Sequence, residues 1–322
     1  MAPAWPERLK AALLRRARIL LGLLAAAVGL GYGGGWHWFA ELFAHFFIQY
    51  WLAALVLAAI FFWARSRGWA LAALALLALC SLELAPFFRA EEAAPAGDEV
   101  VALLQFNAAQ SPGRLESWLA ATTPGPDLIL LLEATPDFVP LLERLRPRYP
   151  HQWQRLQEGP FGIALLSRRP YARAAAIEPI GPEHPGLDLR LESGGRPLRI
   201  LGIHPPPPLG ELLAGQRDRY MDELAGLLRP GEATLVLGDL NSTVWSPRLR
   251  AFMARTGMAD CQRGLGLAAS WPAATAALPG VGGLLGLPID LCLQAGPVRL
   301  LDRRVEADLG SDHLPVLTRF SF

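Results

Sequence analysis

Residues able to do acid–base and metal chemistry recur in this chain where apolar runs stop. In "LVLGDLNS", the apolar or small residues Leu235–Gly238 are followed by Asp239 and Asn241. Side chains two positions apart on a strand share a face. The same interruption follows "VALLQF" at Asn107, "DLILLL" at Glu133 and "RILGI" at His204. It returns at Asp290 in "LPIDLCL" and at Asp312 and His313 in "GSDHLPV". Carboxylates and carboxamides offer hard oxygens, and imidazoles exchange protons near neutral pH. Such a set can activate water. Taken singly, an Asn after a strand is usually a turn residue and an Asp-His pair is usually solvated surface. Repetition of one pattern at successive strand ends marks a site. No Cys/His cluster has the spacing of a zinc site, and no GxxxxGK[ST] loop is present.

The elements that must position these groups are legible as apolar runs. Strands are expected at Val100–Phe106, Leu128–Leu132, Ile163–Leu166, Arg199–Ile203, Leu235–Leu237, Ile289–Leu293 and Val316–Phe320. Helical spacing appears between them at Arg114–Ala121, Phe138–Arg146, Gly215–Leu228 and Ser246–Thr256. This mixture predicts an α/β protein with buried sheets.

In this order and spacing the motifs resemble the endonuclease/exonuclease/phosphatase superfamily, over about Val100 to Phe320. "LLQFNAAQ" is similar to the family's first strand ending in Asn, and "DLILLLEAT" to the strand ending in its metal-binding Glu. "FGIALLSRRP" resembles its G-x-A-x-x-S-R-x-P strand. "LVLGDLNS" matches its GDFN element, "PIDLCL" its IDY element and "GSDHLPV" its closing SDHxPV. More narrowly, "GIHPPPP", "GDLNSTVWSP" and "SWP" resemble its membrane-anchored bacterial YafD-like branch. The resemblance implies a four-layer α/β sandwich, two packed and mainly antiparallel sheets flanked by helices. Two departures stand out: Leu132 where many members have Gln, and Ala109 where some nucleases carry an acid. Both thin the oxygen ligands and favour one tightly bound metal over two.

The implied activity is hydrolysis of a phosphate ester by metal-assisted, in-line attack of water. Mg²⁺, or alternatively Mn²⁺, suits hard oxygen ligands, and the matching positions are Glu133, Asn107 and Asp312. The base is either His313, oriented by Asp290 as in a hydrolytic triad, or Asp239. Asn241 would fix the phosphate or the water. His204 would stabilise or protonate the phosphate side of the transition state. Ser167 and Arg168 are either a structural strand end or a phosphate contact, Arg168 being the substrate-binding candidate. Pro205–Pro208 would brace His204 as a stiff polyproline segment. Trp271 and Trp245 would pack beneath the site or stack on substrate, and Arg217 would reach the site or face solvent.

An exported nuclease and a catalytically inactive binding module on the same fold are the alternatives. From Asp98 to Phe322 there are 22 Arg against 24 Asp plus Glu, a formal charge of −2, and the chain's one lysine is Lys10. Phosphate contacts dominate nucleic-acid affinity, so a nucleic-acid partner is not favoured.

The remaining sequence points to a membrane. The 322 residues are 52% hydrophobic with a mean hydropathy of +0.27, and the apolar excess lies before Pro95. Residues 1–88 read as an anchor with three transmembrane helices, at about 19–36, 46–64 and 69–88, long enough for a ~30 Å hydrocarbon core. The first run, preceded by arginines, also admits reading as a signal peptide. Arg8, Lys10, Arg15, Arg16 and Arg18 precede the first span, and Arg65 and Arg67 lie between the second and third. The positive-inside rule then places the N-terminus in the cytoplasm and the later residues outside a bacterial inner membrane, on the periplasmic or extracellular side. Trp36, Trp38, Trp51, Trp63 and Trp69 lie near the span ends, as an aromatic belt would. Residues 89–98 read as a linker and 99–322 as the catalytic domain. In an oxidising compartment Cys261 and Cys292 could pair, whereas Cys80 reads as a buried thiol.

Between Pro272 and Pro288 runs "PAATAALPGVGGLLGLP", a Gly/Pro-rich stretch without a charge that ends just before Asp290. It is expected to be a loop. Such a loop either packs on the core or lies against lipid and admits an amphiphilic phosphoester, making a lipid substrate and the bilayer itself the partners to consider.

Overall fold

The computed structural model describes residues 5–89, 99–193 and 195–322. They form two compact units, Met1–Arg89 with Trp245–Pro247, and Ala90–Val244 with Arg248–Phe322. Most of the expected linker, 89–98, lies outside the described residues.

The first unit is helical, with its main helices at Trp5–Tyr32, Phe47–Trp63 and Arg67–Leu84. Their contact surface uses Ala17, Leu21, Leu57, Ala58, Phe61, Ala70 and Ala73. Small residues allow such close approach of helices. Ile19, Leu20, Leu23, Leu71 and Leu82 point outward and are exposed. Two helical stretches, Trp38–Trp63 and Arg67–Phe87, are long and apolar enough to cross a membrane. The first expected span, 19–36, lies in the helix Trp5–Tyr32 only up to Tyr32 and continues through a 3-10 turn at Gly33–Gly35. Trp245, assigned to this unit, is buried with its ring against Phe47 and Phe87.

The second unit holds two six-stranded sheets. The strands are β1 (Val100–Asn107), β2 (Leu128–Leu132), β3 (His151–Arg155), β4 (Ile163–Ser167), β5 (Arg173–Ile177) and β6 (Gly186–Ser193). They continue with β7 (Arg196–Ile203), β8 (Thr234–Asp239), β9 (Ala259–Asp260), β10 (Asp290–Ala295), β11 (Arg299–Val305) and β12 (Val316–Ser321). One sheet runs β11-β12-β1-β2-β4-β3 and the other β5-β6-β7-β8-β10-β9. Each contains one parallel pair, β1 with β2 and β7 with β8, and is otherwise antiparallel.

Alternation along the strands builds the layers. Leu103, Leu128 and Leu130 face inward against Leu189, Leu198, Leu235 and Leu237 between the sheets. Leu104, Ile129 and Leu131 face outward, onto Leu115 and Leu119 of the helix Leu115–Ala121 and Leu141 and Leu142 of the helix Val139–Leu145. On the helix Glu211–Leu227 the buried Ala214, Arg217, Tyr220, Met221 and Leu224 recur at three- and four-residue intervals, the spacing of one helical face. The result is the expected α/β sandwich: two packed mixed sheets flanked by helices. Cys261 and Cys292 form a disulfide that joins the segment after β9 to β10, with Cα atoms 5.3 Å apart.

Five strands are absent from the sequence reading: β3, β5, β6, β9 and β11. Four of them are edge strands or short. In β11 the charges that guard an edge strand against stray pairing break up the apolar run, β3 is interrupted by His and Gln, β5 is mostly alanine, and β9 has two residues. The fifth, β6, alternates Leu187, Leu189 and Leu191 with Asp188 and Arg190. The segment Pro272–Pro288 is not wholly a loop, since it contains the short helical turns Ala273–Ala276 and Gly282–Leu285.

Candidate active site

Pairing direction decides where the strand-end residues meet. Because β1 and β2 are parallel and Asn107 lies beside Leu132, Glu133 emerges next to Asn107. β7 and β8 are parallel with Ile203 beside Gly238, which brings His204 next to Asp239. β10 runs the other way, so its first residue, Asp290, lies directly across from Asp239. β12 pairs antiparallel to β1 with Val316 opposite Gln105, and the turn before it carries Asp312 and His313 to the same end. Gly238 is required here: its φ is +147°, and a Cβ would lie 1.9 Å from the Ile203 carbonyl oxygen. Gly162 is similarly confined, with a Cβ position 2.0 Å from the Ala134 oxygen.

The centre of the site is one carboxylate oxygen. Asp239 Oδ2 accepts a hydrogen bond from Asn107 Nδ2 at 3.1 Å and lies 3.4 Å from His204 Nε2 and 3.5 Å from His313 Nε2. Asp239 Oδ1 accepts the Asn241 backbone N–H at 2.8 Å. The Asn107 amide also donates to Glu133 Oε1 at 3.0 Å, joining the two acids. On the far side, His313 Nδ1 is 2.8 Å from Asp290 Oδ2, which also receives the Ser270 hydroxyl at 2.6 Å. His204 Nδ1 donates to the Pro160 carbonyl at 3.0 Å, directing Nε2 toward Asp239. The Asn241 side-chain amide donates to the carbonyl of Pro205, the first residue of the proline run, at 3.1 Å. Among the described residues, ligand-type atoms of Asp239, Asp290 and His313 lie within 4.8 Å of one another.

Glu133 and Asn241 both adopt left-handed backbone conformations, with φ of +56° and +48°. Non-glycine residues in this region are strained and concentrate at functional sites. Asp239, Asp290, Asn107, His204 and His313 are buried, Glu133 is half-buried, and Asp312 is exposed.

The site is electrostatically polarised. Burial opposes protonation of His313, but the charge and hydrogen bond of Asp290, aided by Asp239 and Asp312, outweigh it and raise the imidazole to about 10. Burial also opposes the His204 cation, and the hydrogen bond and charge of Asp239, with Glu133, hold its pKa above the ordinary value. Burial would raise Asp239, yet the His204 contact, the charges of both imidazoles and the Asn241 N–H keep it low. Asp239 is therefore held as an anion beside the His313 imidazolium.

Arg168 corrects the sequence reading. It follows β4, which runs antiparallel to β2, so Arg168 leaves the sheet at the end opposite Glu133. There it bonds the Gly125 carbonyl at 2.9 Å and covers the Tyr149 ring. Arg217 neither enters the site nor faces solvent. It is buried, with its guanidinium 2.7 Å from Asp218. It lines a separate cavity of about 290 Å³ that meets the Asp239–Asn241 segment through Leu240 and Ser242.

Three contributors escape the sequence reading. Ser270 opens the quoted "SWP", in which the sequence drew attention only to Trp271, and it supports Asp290. The buried Arg303 donates to the Asp290 carbonyl oxygen at 2.6 Å. Phe161 places its ring 5.3 Å from that of His204. Nothing in an edge-strand Arg or a turn Phe marks either in sequence. Trp271 packs at the site, with Nε1 3.3 Å from Asp312 Oδ2 and its ring 6.4 Å from that of His313.

The model of the Endonuclease/Exonuclease/phosphatase family matches residues 104–313, from β1 through His313. The chain belongs to that family. Its enzymes are metal-dependent hydrolases of phosphate esters, and this chain is such an enzyme by membership. Among solved structures, an endonuclease/exonuclease/phosphatase from Beutenbergia cavernae is 16% identical, with 70% of this chain and 72% of that one covered at a TM-score of 0.58. Truncated TDP2 from Caenorhabditis elegans is 17% identical over 71% of this chain and 100% of its own, with a TM-score of 0.55. Sphingomyelinase C from Streptomyces griseocarneus is 16% identical over 69% and 99%, with a TM-score of 0.50. At these identities the likeness is one of fold. No curated protein matches the sequence.

Proposed function

We propose that this family member is a membrane-anchored, magnesium-dependent phosphoesterase in which Asp239 is the base and His313 the cation facing the phosphate. The observation that carries the reading is the convergence of Asn107, His204 and His313 on Asp239 Oδ2. An ionised carboxylate beside the His313 imidazolium can take a proton from water. An imidazolium with a pKa near 10 cannot do so at neutral pH, which favours Asp239 over His313 for that step.

The residues fit a magnesium ion. Glu133 and Asp312 offer only hard oxygens, and the half-buried and exposed carboxylates leave room for the waters magnesium retains. Asn107, expected as a third ligand, instead turns its amide nitrogen to Glu133 and its oxygen to the Ala109 N–H at 3.1 Å, so it orients Glu133. Ser311 ties the two halves of this set together by donating to the Asn107 carbonyl at 2.8 Å. The Asp239–Asp290–His313 cluster is the poorer ligand set, because His313 Nδ1 and Asp290 Oδ2 are committed to each other. When bound, the ion supplies charge neutralisation at a phosphoryl oxygen and at the leaving oxygen. Protein groups do the rest. Asp290 and Ser270 hold the imidazole of His313, Asn241 orients Asp239, and the Nε2 protons of His313 and His204 face developing negative charge. His204 or His313 returns a proton to the leaving oxygen.

The anchor is read as three helices, at 19–36, 46–64 and 69–88, with the enzyme outside the inner membrane. Support comes from two stretches of spanning length and the charge pattern of the loops. The domain's −2 charge disfavours a nucleic-acid substrate. A panel of chromogenic diesters, sugar phosphates, phospholipids and nucleic acids, assayed with and without Mg²⁺, tests the reading. Metal-dependent turnover of a non-nucleic ester is expected, and turnover confined to nucleic acid would replace it with the exported nuclease.

A further inference from the structure

The apolar surface of the second unit is unevenly placed. Among its described residues nine large hydrophobic side chains are exposed, and five of them lie on two segments attached to the site. Leu278, Val281 and Leu285, each more than 40% exposed, belong to the uncharged stretch Pro272–Pro288. Leu209 and Leu212, at 64% and 72%, follow His204 and its proline run.

The first segment is a closed flap. At its base Ser270 N and Trp271 N both donate to the Leu287 carbonyl, and Leu287 N donates back to that of Trp271. The same base holds reacting groups. Ser270 bonds Asp290, Trp271 bonds Asp312 Oδ2, and Ala273 N donates to the Asp312 carbonyl at 2.7 Å. Its inner side is filled: Ala273 and Gly282 are buried, and Gly286 has no room for a Cβ, which would lie 2.9 Å from that of Ala269. The apolar tip is thus not a core element turned inside out. It faces solvent from a supported base, without a charge along 17 residues.

We infer that this flap and the Leu209–Leu212 segment rest on the bilayer surface, and that the site takes a membrane-lipid phosphoester whose head group enters beside His313 and His204. The inference deepens the phosphoesterase reading above and rests on it. Three features name a bilayer as the occupant. Exposed apolar groups without charge gain free energy on leaving water, and a lipid interface accepts Leu and Val without a shaped pocket. The chain carries two helices of membrane-spanning length. Nine residues, 90–98, separate Arg89 from Glu99, so a fully extended connection reaches no more than about 35 Å. The chemistry is the hydrolysis already described. Water oxygen bonds to phosphorus, the bond from phosphorus to the leaving alkoxide oxygen breaks, and the proton taken from water returns to that oxygen.

The test uses the full chain reconstituted in phosphatidylcholine vesicles that contain phosphatidylglycerol and phosphatidic acid. Release of head group or phosphate is compared with turnover of soluble bis(p-nitrophenyl) phosphate by the same preparation. For Leu278→Asp with Leu285→Asp, lipid turnover is expected to fall at least tenfold while soluble turnover stays within about twofold. Leu285→Trp, in vesicles with brominated acyl chains, should add fluorescence that the bromines quench. Equal losses on both substrates, no lipid turnover by the parent chain, or an unquenched added indole each overturns the inference. Soluble turnover that depends on Mg²⁺ leaves the phosphoesterase reading standing in every such case, whereas its absence counts against that reading itself.

Discussion

His313 Nδ1 lies 2.8 Å from Asp290 Oδ2, and the same oxygen receives the Ser270 hydroxyl at 2.6 Å, so one buried carboxylate fixes both the orientation and the charge of the imidazole. Asp290→Asn preserves the shape but removes the charge. It is expected to lower kcat by about 10³- to 10⁴-fold, as for other carboxylate–imidazole pairs, with circular dichroism unchanged. A loss below tenfold would show that Asp290 serves the fold and not the reaction.

The same pair sets a pH signature. His313 is raised from 6.5 to about 10 in the folded protein. Its protonation therefore stabilises the fold fully below pH 6.5, and that contribution fades as pH rises through 10. Asp239 is lowered from 3.8, so its contribution is present above that pH and is lost as pH falls through the lower folded value. Histidine ring NMR of the metal-free protein should show one imidazole titrating near pH 10, and Asp290→Asn should move it down. Titration of His313 near 6.5 in the parent would contradict the geometry.

Gly238 is the backbone counterpart of these side chains. Gly238→Ala forces a Cβ against the Ile203 carbonyl at a φ of +147°, and should destabilise the domain by about 3 kcal/mol or more. Chemical denaturation measures this directly. A cost near zero would mean that β7 and β8 can separate there without consequence.

Much of this frame was legible beforehand. β2 spans Leu128–Leu132, as its apolar run indicated, because a strand buried on both faces is written as uninterrupted Leu and Ile. The edge strands β3 and β11 were hidden by their own polar and charged residues. Asn107, Glu133, His204, Asp239, Asn241, Asp290 and His313 were visible because each interrupts an apolar run; parallel pairing joins Asn107 to Glu133 and His204 to Asp239, and antiparallel pairing brings Asp290 and His313 to them. Arg168 stops a run in the same way, but sequence does not say which end of an antiparallel strand faces the site. Ser270 and Arg303 act through hydrogen bonds to residues distant in the chain, Asp290 being 20 and 13 positions away, and no local pattern announces such bonds.

The membrane reading carries its own expectation. Three spans with a cytoplasmic N-terminus place Phe322 outside the inner membrane, so alkaline phosphatase fused after it should be active in the exported state only. The disulfide between Cys261 and Cys292 agrees with an oxidising compartment. Alkylation of the native protein should leave both thiols blocked until reduction. A fusion active only as a cytoplasmic reporter would show that the spans were miscounted.

Hydrolysis of a phosphate ester is assigned to Asp239 together with a metal held by Glu133 and Asp312. Its most direct test is kcat for a soluble chromogenic diester, measured on the purified full chain with Mg²⁺ and in excess chelator. Turnover should vanish in chelator and return with Mg²⁺, and Glu133→Gln should need at least about tenfold more metal for half-activity. Asp239→Asn should lose about 10³-fold or more, and Arg168→Ala should remain near the parent rate. Undiminished turnover in chelator, or an Asp239→Asn variant as fast as the parent, would contradict the account.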